Sequence, residues 1–180
     1  LYYADRVVQL PLGVVGVAIG TALLPILARQ IRSGNETEAG NTQNRAIEMG
    51  LLLTLPAAAA LAVIADPLTA VLFERGRFVA SDGDATAAAM AAFAAGLPAF
   101  VLIKAFQPGF FARHDTATPV KIAIVGVVAN LAFNLVLMPL FAHVGIALAT
   151  TLAAWLNAGL LAWLLARRGH FRPDRRLRDR

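Results

Sequence analysis

The amino-acid sequence predicts an all-α fold, a polytopic transmembrane helix bundle with about five spanning helices. Five apolar stretches close to membrane-spanning length occupy most of the 180 residues. Hydrophobic residues make up 58% of the chain and charged residues 15%. The polar connections between the stretches alternate in charge. A hydrocarbon core about 30 Å thick takes roughly 20 helical residues to cross. Charge this sparse cannot coat a soluble domain of this length, so lipid is the expected solvent for most side chains.

The elements follow in order. A first helix over 1–30 surrounds VVQLPLGVVGVAIGTALLPILA and carries a polar face. Residues 31–45 are polar and read as a cytoplasmic loop, followed by a second helix over 46–73. A periplasmic loop over 74–84 holds Arg75 and Arg77 beside Glu74, Asp82 and Asp84. The third helix covers 85–112, a cytoplasmic turn 113–118, and the fourth helix 119–140. A periplasmic turn at 141–144 leads to a fifth helix over 145–167, and a basic cytoplasmic segment fills 168–180. Pro11, Pro25, Pro56, Pro98 and Pro108 fall inside spans. Each removes an intrahelical hydrogen bond and favours a kink, which serves ordinary curvature or a hinge equally well.

Sidedness comes from Lys and Arg. One set of connections carries twelve of them and the other carries two. The richer side is cytoplasmic by the positive-inside rule, so the first, third and fifth spans run inward. Seven of the 16 basic residues lie in the last fourteen positions, a juxtamembrane segment suited to anionic membrane lipids and not to nucleic acid. The chain opens on Leu1 with no charged n-region, which reads as a fragment with sequence upstream.

Catalytic patterns are missing. There is no cysteine; His114, His143 and His170 lie apart without ligand spacing; Ser33 and Ser81 have no adjacent base. The expectation is no enzyme, no cofactor and no metal centre of the His/Cys type.

The strongest constellation is LYYADRVVQLPLGVVGVAIG. At about 100° per residue, Tyr2, Asp5, Arg6, Gln9, Gly13, Gly16 and Gly20 fall within an arc of roughly 100°. Asp5 and Arg6 point too far apart to pair ideally with each other, so each seeks another partner: Gln9, four residues from Asp5, or a residue on a helix that this chain lacks. Arg6 either snorkels to the interface beside Tyr2 and Tyr3 or lines a wet cavity and binds an anion such as phosphate. Gly16-x-x-x-Gly20 is also a helix-packing spacing.

YADR followed by QLPLGVVGVAIGTALLP resembles a helix of the MurJ/MviN lipid II flippase family. LFERGRF (72–78), GLPAFVLIKAFQPGFFARHDTATPVKIA (96–123) and NLAFNLVLMP (130–139) match the same family in order. The resemblance covers essentially the whole chain. It implies a fragment of a two-lobed transporter of the MOP superfamily, roughly its eighth to twelfth helices. It also implies a bacterial inner-membrane location and a partner, lipid II, whose undecaprenyl-diphosphate-linked head crosses by alternating access. The remaining helices of the same chain would be partners too. By resemblance Arg6 and Asp5 face the central cavity. Gln9 stands where some members have Glu, so a titratable role there is not implied. Other exporters of the superfamily, or a membrane interaction module, are the alternatives.

Two further groups intrude on apolar helices. Lys104 and Gln107 share a face of the third span, and Lys104 either snorkels or contacts an anionic head group. Asn130 and Asn134 are one turn apart in the fourth span, and Thr150 is placed to face them from the fifth. Interhelical hydrogen bonds explain them, and a monovalent-cation site is the sharper reading. In the 113–118 turn, Asp115, Thr116 and Thr118 are N-cap candidates, and Arg113 could latch onto Asp115.

Overall fold

The computed structural model describes residues 2–73, 80–169 and 171, and every regular element among them is helical. Helix α1 (Tyr2–Pro11), a π-helical turn (Leu12–Gly16) and α2 (Val17–Arg32) form one rod. α3 covers Glu36–Val63, α4 Ala65–Phe73, α5 Ala80–Phe111 and α6 Ala117–Arg167. Four segments are long and apolar enough to cross a membrane: Asp5–Arg32, Glu36–Val63, Thr86–Phe111 and Ala117–Arg167. The last, at 51 residues, would extend about 75 Å if straight. Non-helical torsions at Ala142 (φ 49°, ψ −125°) break it into two arms, each long enough to cross a membrane.

The structure corrects the expected boundaries in three places. The loop expected over 31–45 shrinks to 33–35, because α3 begins at Glu36. Asn35 starts it with a reciprocal cap: its Oδ1 accepts from the Glu38 N–H (3.3 Å) and its Nδ2 donates to Glu38 Oε2 (2.7 Å). The helix expected over 46–73 is two helices broken at Ile64. Pro67 explains the break: it has no N–H to continue α3, and it stands in the first turn of α4, where none is needed. Finally, α5 starts at Ala80, so 80–84 is helix; residues 74–79 of that expected loop lie outside the described residues, as does 172–180 of the basic segment.

α5 is the central helix. In its most apolar window 67% is buried, against 6% in that of α6, and the α1–α2 rod, α3, α4 and α6 all pack on it. Its Met90, Phe93 and Leu97 are buried in one core cluster and its Phe106 and Phe110 in another. Polar ties reinforce the apolar contact. The Thr151 hydroxyl donates to the Ala92 carbonyl (2.8 Å), and Trp155 Nε1 donates to the Ala95 carbonyl (3.0 Å). On the α3 side, Gln43 is buried and its Nε2 donates to the Ala105 carbonyl (3.1 Å). A Cβ at Gly109 would stand 2.7 Å from that nitrogen. Gly109→Ala should therefore push Gln43 off its acceptor and cost about 1–3 kcal/mol, read as a lower Tm of the full-length protein in detergent.

Three connections meet at one end of the bundle. Arg113 forms an ion pair with Glu36 and donates from Nη1 to the Gly109 carbonyl (2.7 Å). Arg168 pairs with Asp115 and donates from Nη2 to Thr118 Oγ1 (2.9 Å). Asp115, one residue before the N-cap Thr116, also serves the start of α6, its Oδ1 accepting from the Thr118 N–H (3.0 Å). The Arg113–Asp115 latch is thus replaced by two separate pairs. Beyond Arg168 the chain reverses at Gly169 (φ 74°), a left-handed position that suits glycine, and Phe171 packs edge-on against Phe106 at 5.4 Å.

The Asp115 carboxyl lies at about 2, below its ordinary 3.8. Hydrogen bonding from the Thr118 side chain is the largest cause; burial opposes it, and the Thr118 N–H and Arg168 add to the lowering. A depressed folded-state value means stability that is fully present above pH 3.8 and lost as pH falls toward 2. The Tm gap between wild type and Asp115→Asn should be constant from pH 5 to 8 and close below about pH 4. A gap that persists at the acid end would show that ionisation of Asp115 contributes nothing.

Candidate functional site

The polar face of the first rod is built by local geometry. Asp5, Arg6 and Gln9 form a chain in which Gln9 Nε2 donates to Asp5 Oδ2 (2.6 Å) and Arg6 Nη1 donates to Gln9 Oε1 (3.2 Å). The guanidinium also lies over the Tyr2 ring, 5.0 Å from its centroid. Asp5 therefore reaches Arg6 through a neutral amide. Arg6 and Gln9 are both exposed, and most of the guanidinium edge is open to a ligand.

The π turn changes which residues share a face. A π turn advances only about 80° per residue, so five such residues lag an α-helix by about 90°. On an uninterrupted helix, Val8 and the Gly16, Leu23 and Leu27 stripe would point in different directions; after the lag they coincide, and both are buried toward α5. The single polar arc expected from Tyr2 to Gly20 is therefore split. Gly13 is open, with nothing within 4 Å of where a Cβ would stand, whereas Gly16 is buried with Lys104 Cγ 3.5 Å away and Gly20 faces the Lys104 carbonyl. That carbonyl lacks its intrahelical donor because Pro108 has no N–H.

Beside these glycines a cavity of about 260 Å³ opens between α2 and α5, lined by residues that include Gly16, Gly20, Thr21, Lys104, Gln107 and Pro108. With the lag included, Asp5 and Gln9 stand on the rod face that continues into this cavity. Lys104 is exposed there and has no hydrogen bond or ion pair among the described residues. From Arg6 to Gly16 the rod rises roughly 14 Å, so Arg6 and Lys104 stand at different levels along the rod.

Asn130, Asn134 and Thr150 do come together, across the fold in α6. Asn130 Nδ2 donates to Thr150 Oγ1 (3.3 Å), and Asn134 Nδ2 donates to Asn130 Oδ1 (2.8 Å) and to its carbonyl (2.9 Å). The Thr150 hydroxyl donates to the Ile146 carbonyl (2.9 Å). Asn134 Oδ1 is buried without a partner. These are hard oxygen donors but neutral ones, and among the described residues no three His, Cys, Asp or Glu side chains cluster to hold a metal. Gln43, buried between α3 and α5, is a structural polar residue with no signal in the letters, since its neighbours Asn41, Thr42, Asn44 and Arg45 are all polar as well.

Comparison with known proteins agrees with this architecture. The family model described as "Lipid II flippase MurJ" matches residues 1–179. A "Probable lipid II flippase MurJ" of Rhizobium tropici is 54% identical over 170 residues, covering 94% of this chain and 32% of the relative. The "Lipid II flippase MurJ" of Burkholderia cenocepacia is 39% identical over 172 residues, with 96% and 33% covered. A solved structure titled "Lipid II flippase MurJ, inward closed conformation" superimposes with a TM-score of 0.82 at 24% identity, over 94% of this chain and 35% of the other, a likeness of fold. The chain spans about a third of the length of these relatives. With several helices able to cross a membrane, it is part of a multi-pass membrane protein and belongs to the lipid II flippase MurJ family.

Proposed function

We propose that this chain forms part of a transporter that moves an undecaprenyl-diphosphate-linked peptidoglycan precursor from the cytoplasmic to the periplasmic leaflet of the bacterial inner membrane. The observation that carries this reading is Arg6, an exposed cation on a membrane-spanning rod that, among the described residues, is linked to the acid Asp5 through Gln9. An open guanidinium of this kind is costly in lipid and suited to a wet cavity that receives an anion. The names of its relatives supply the substrate class. Arg6 binds the diphosphate, Asp5 and Gln9 orient the guanidinium, and Lys104 adds positive potential further along the rod. The binding step requires no bond-breaking chemistry. Alternating access needs the head group to bind one state better than the other. The connections at 33–35, 112–116 and 168–171 face the cytoplasm in this reading, supported by the exposed Arg29, Arg32, Arg167 and Arg168 near that end. The test is rescue of flippase-depleted cells by the full-length protein carrying Arg6→Ala: no growth supports the reading, and normal growth removes it.

Asn130, Asn134 and Thr150 serve first as an interhelical tie. The orphan Asn134 oxygen also makes them a partial set for a monovalent cation, with a carboxylate supplied from outside this chain. Asn134→Leu should lower Tm by the equivalent of about 1 kcal/mol. A cation role adds a Tm increase with sodium over choline in wild type that the variant loses; equal values in both salts leave only the tie.

A further inference from the structure

We propose that the cavity at Lys104 is a second anion subsite, distinct from Arg6, and that it takes a carboxylate of the peptide carried on the same substrate. The proposal rests on the transport reading above and adds to it which part of the head group goes where.

Size is the first argument. At about 260 Å³ the cavity is adequate for one acidic side chain or chain terminus. Its polar groups are the second. The Lys104 ammonium has no counter-charge among the described residues, and Gln107 stands one turn away on the same face. The Lys104 carbonyl, released by Pro108, is an acceptor for a peptide N–H. A cation, an amide and a free carbonyl together match a peptide segment that bears a carboxylate. A diphosphate offers acceptors only.

Distance along the rod is the third argument. The backbone rises roughly 14 Å from Arg6 to Gly16. A peptide covers that rise in about four extended residues of about 3.3–3.6 Å each. Gly16 and Gly20 leave the space: a Cβ at Gly16 would lie 3.1 Å from Leu12 Cδ1 and 3.5 Å from Lys104 Cγ, crowding the lysine stem.

The other source of an anion at this depth is a phospholipid head group, and the experiment separates the two. The full-length protein is reconstituted in vesicles of phosphatidylethanolamine alone or with added phosphatidylglycerol. Translocation is measured for lipid II with free peptide carboxylates and for the same lipid with those carboxylates amidated. Wild type should prefer the free-carboxylate substrate. Lys104→Met should cut that preference about tenfold, a charge-assisted contact discounted for its exposure, and Lys104→Arg should restore it. Gln107→Glu, which keeps the lysine but offers it an internal counter-charge, should reduce the preference in the same direction. Arg6→Ala should slow both substrates alike. A preference unchanged in Lys104→Met and Gln107→Glu, or an effect that follows phosphatidylglycerol content and not peptide charge, overturns the subsite. Failure of Arg6→Ala to slow either substrate overturns the transport reading instead, and the two results are independent.

Discussion

Arg6→Ala in the full-length protein is expected to reduce lipid II translocation about 10- to 100-fold, the loss anticipated when a hydrogen bond to a charged group worth about 1.5–3 kcal/mol disappears. The argument is electrostatic. Asp5 does not touch the guanidinium; it binds Gln9, and Gln9 presents its carbonyl oxygen to Arg6. The cation is thereby oriented without being neutralised. Lysine at position 6 should recover part of the rate, because it keeps the charge but loses the planar fork that grips two oxygens at once. Gln9→Leu should leave the charge and unfasten its orientation, giving a smaller loss that appears mainly as weaker substrate binding. A snorkelling arginine predicts another pattern, in which Lys and Gln both substitute with near-normal transport and only Tm moves. Translocation rate and Tm measured on the same preparations decide between them.

Gly145→Ala should be the most damaging substitution to the fold, destabilising by about 3 kcal/mol and lowering the yield of folded protein sharply. A Cβ at this glycine would fall 2.3 Å from the Leu137 carbonyl oxygen, 2.6 Å from its carbon and 3.0 Å from the Met138 nitrogen. All three are backbone atoms, so no rotamer change relieves the clash. The two arms of α6 approach here because Ala142 turns the chain, and separating them would disturb the packing of Ala147, Ala149 and Thr151. Gly40→Ala is the control: nothing lies within 4 Å of its Cβ position, and alanine should add up to about 1 kcal/mol through helix propensity. Equal Tm changes for the two variants would refute the close approach at Gly145.

Local chemistry was legible before any coordinates. The Gln9–Asp5 contact follows from i,i+4 spacing, and the splitting of the last 51-residue helix follows from bilayer thickness. The Asn35-x-x-Glu38 cap was also present in the letters, yet the polar composition of 31–45 outweighed it and suggested a loop. Composition reports exposure, and an exposed segment can be helical when its end is capped. Pro67 likewise marked the α3–α4 break, but membrane helices tolerate proline, so one within a long apolar run does not by itself signal a break.

What could not be read was the phase of the first rod. A π turn leaves no periodicity signal, so a wheel drawn at 100° per residue put Arg6 and Gly20 on one arc, while the folded rod turns Gly16 and Gly20 onto α5. The Lys104–Gly16 approach and the Gln43–Ala105 bond join residues far apart in the chain, and no local pattern encodes them. By itself, the sequence determined that lipid surrounds these helices, where they are interrupted and which few charges they carry. Spacing along the chain and the cost of burying charge act over a turn or two, and those are local quantities. Tertiary structure decided which residues line the cavity at Lys104 and which helices close it. Helix rotation is set by packing against α5, and packing is a property of the assembled bundle.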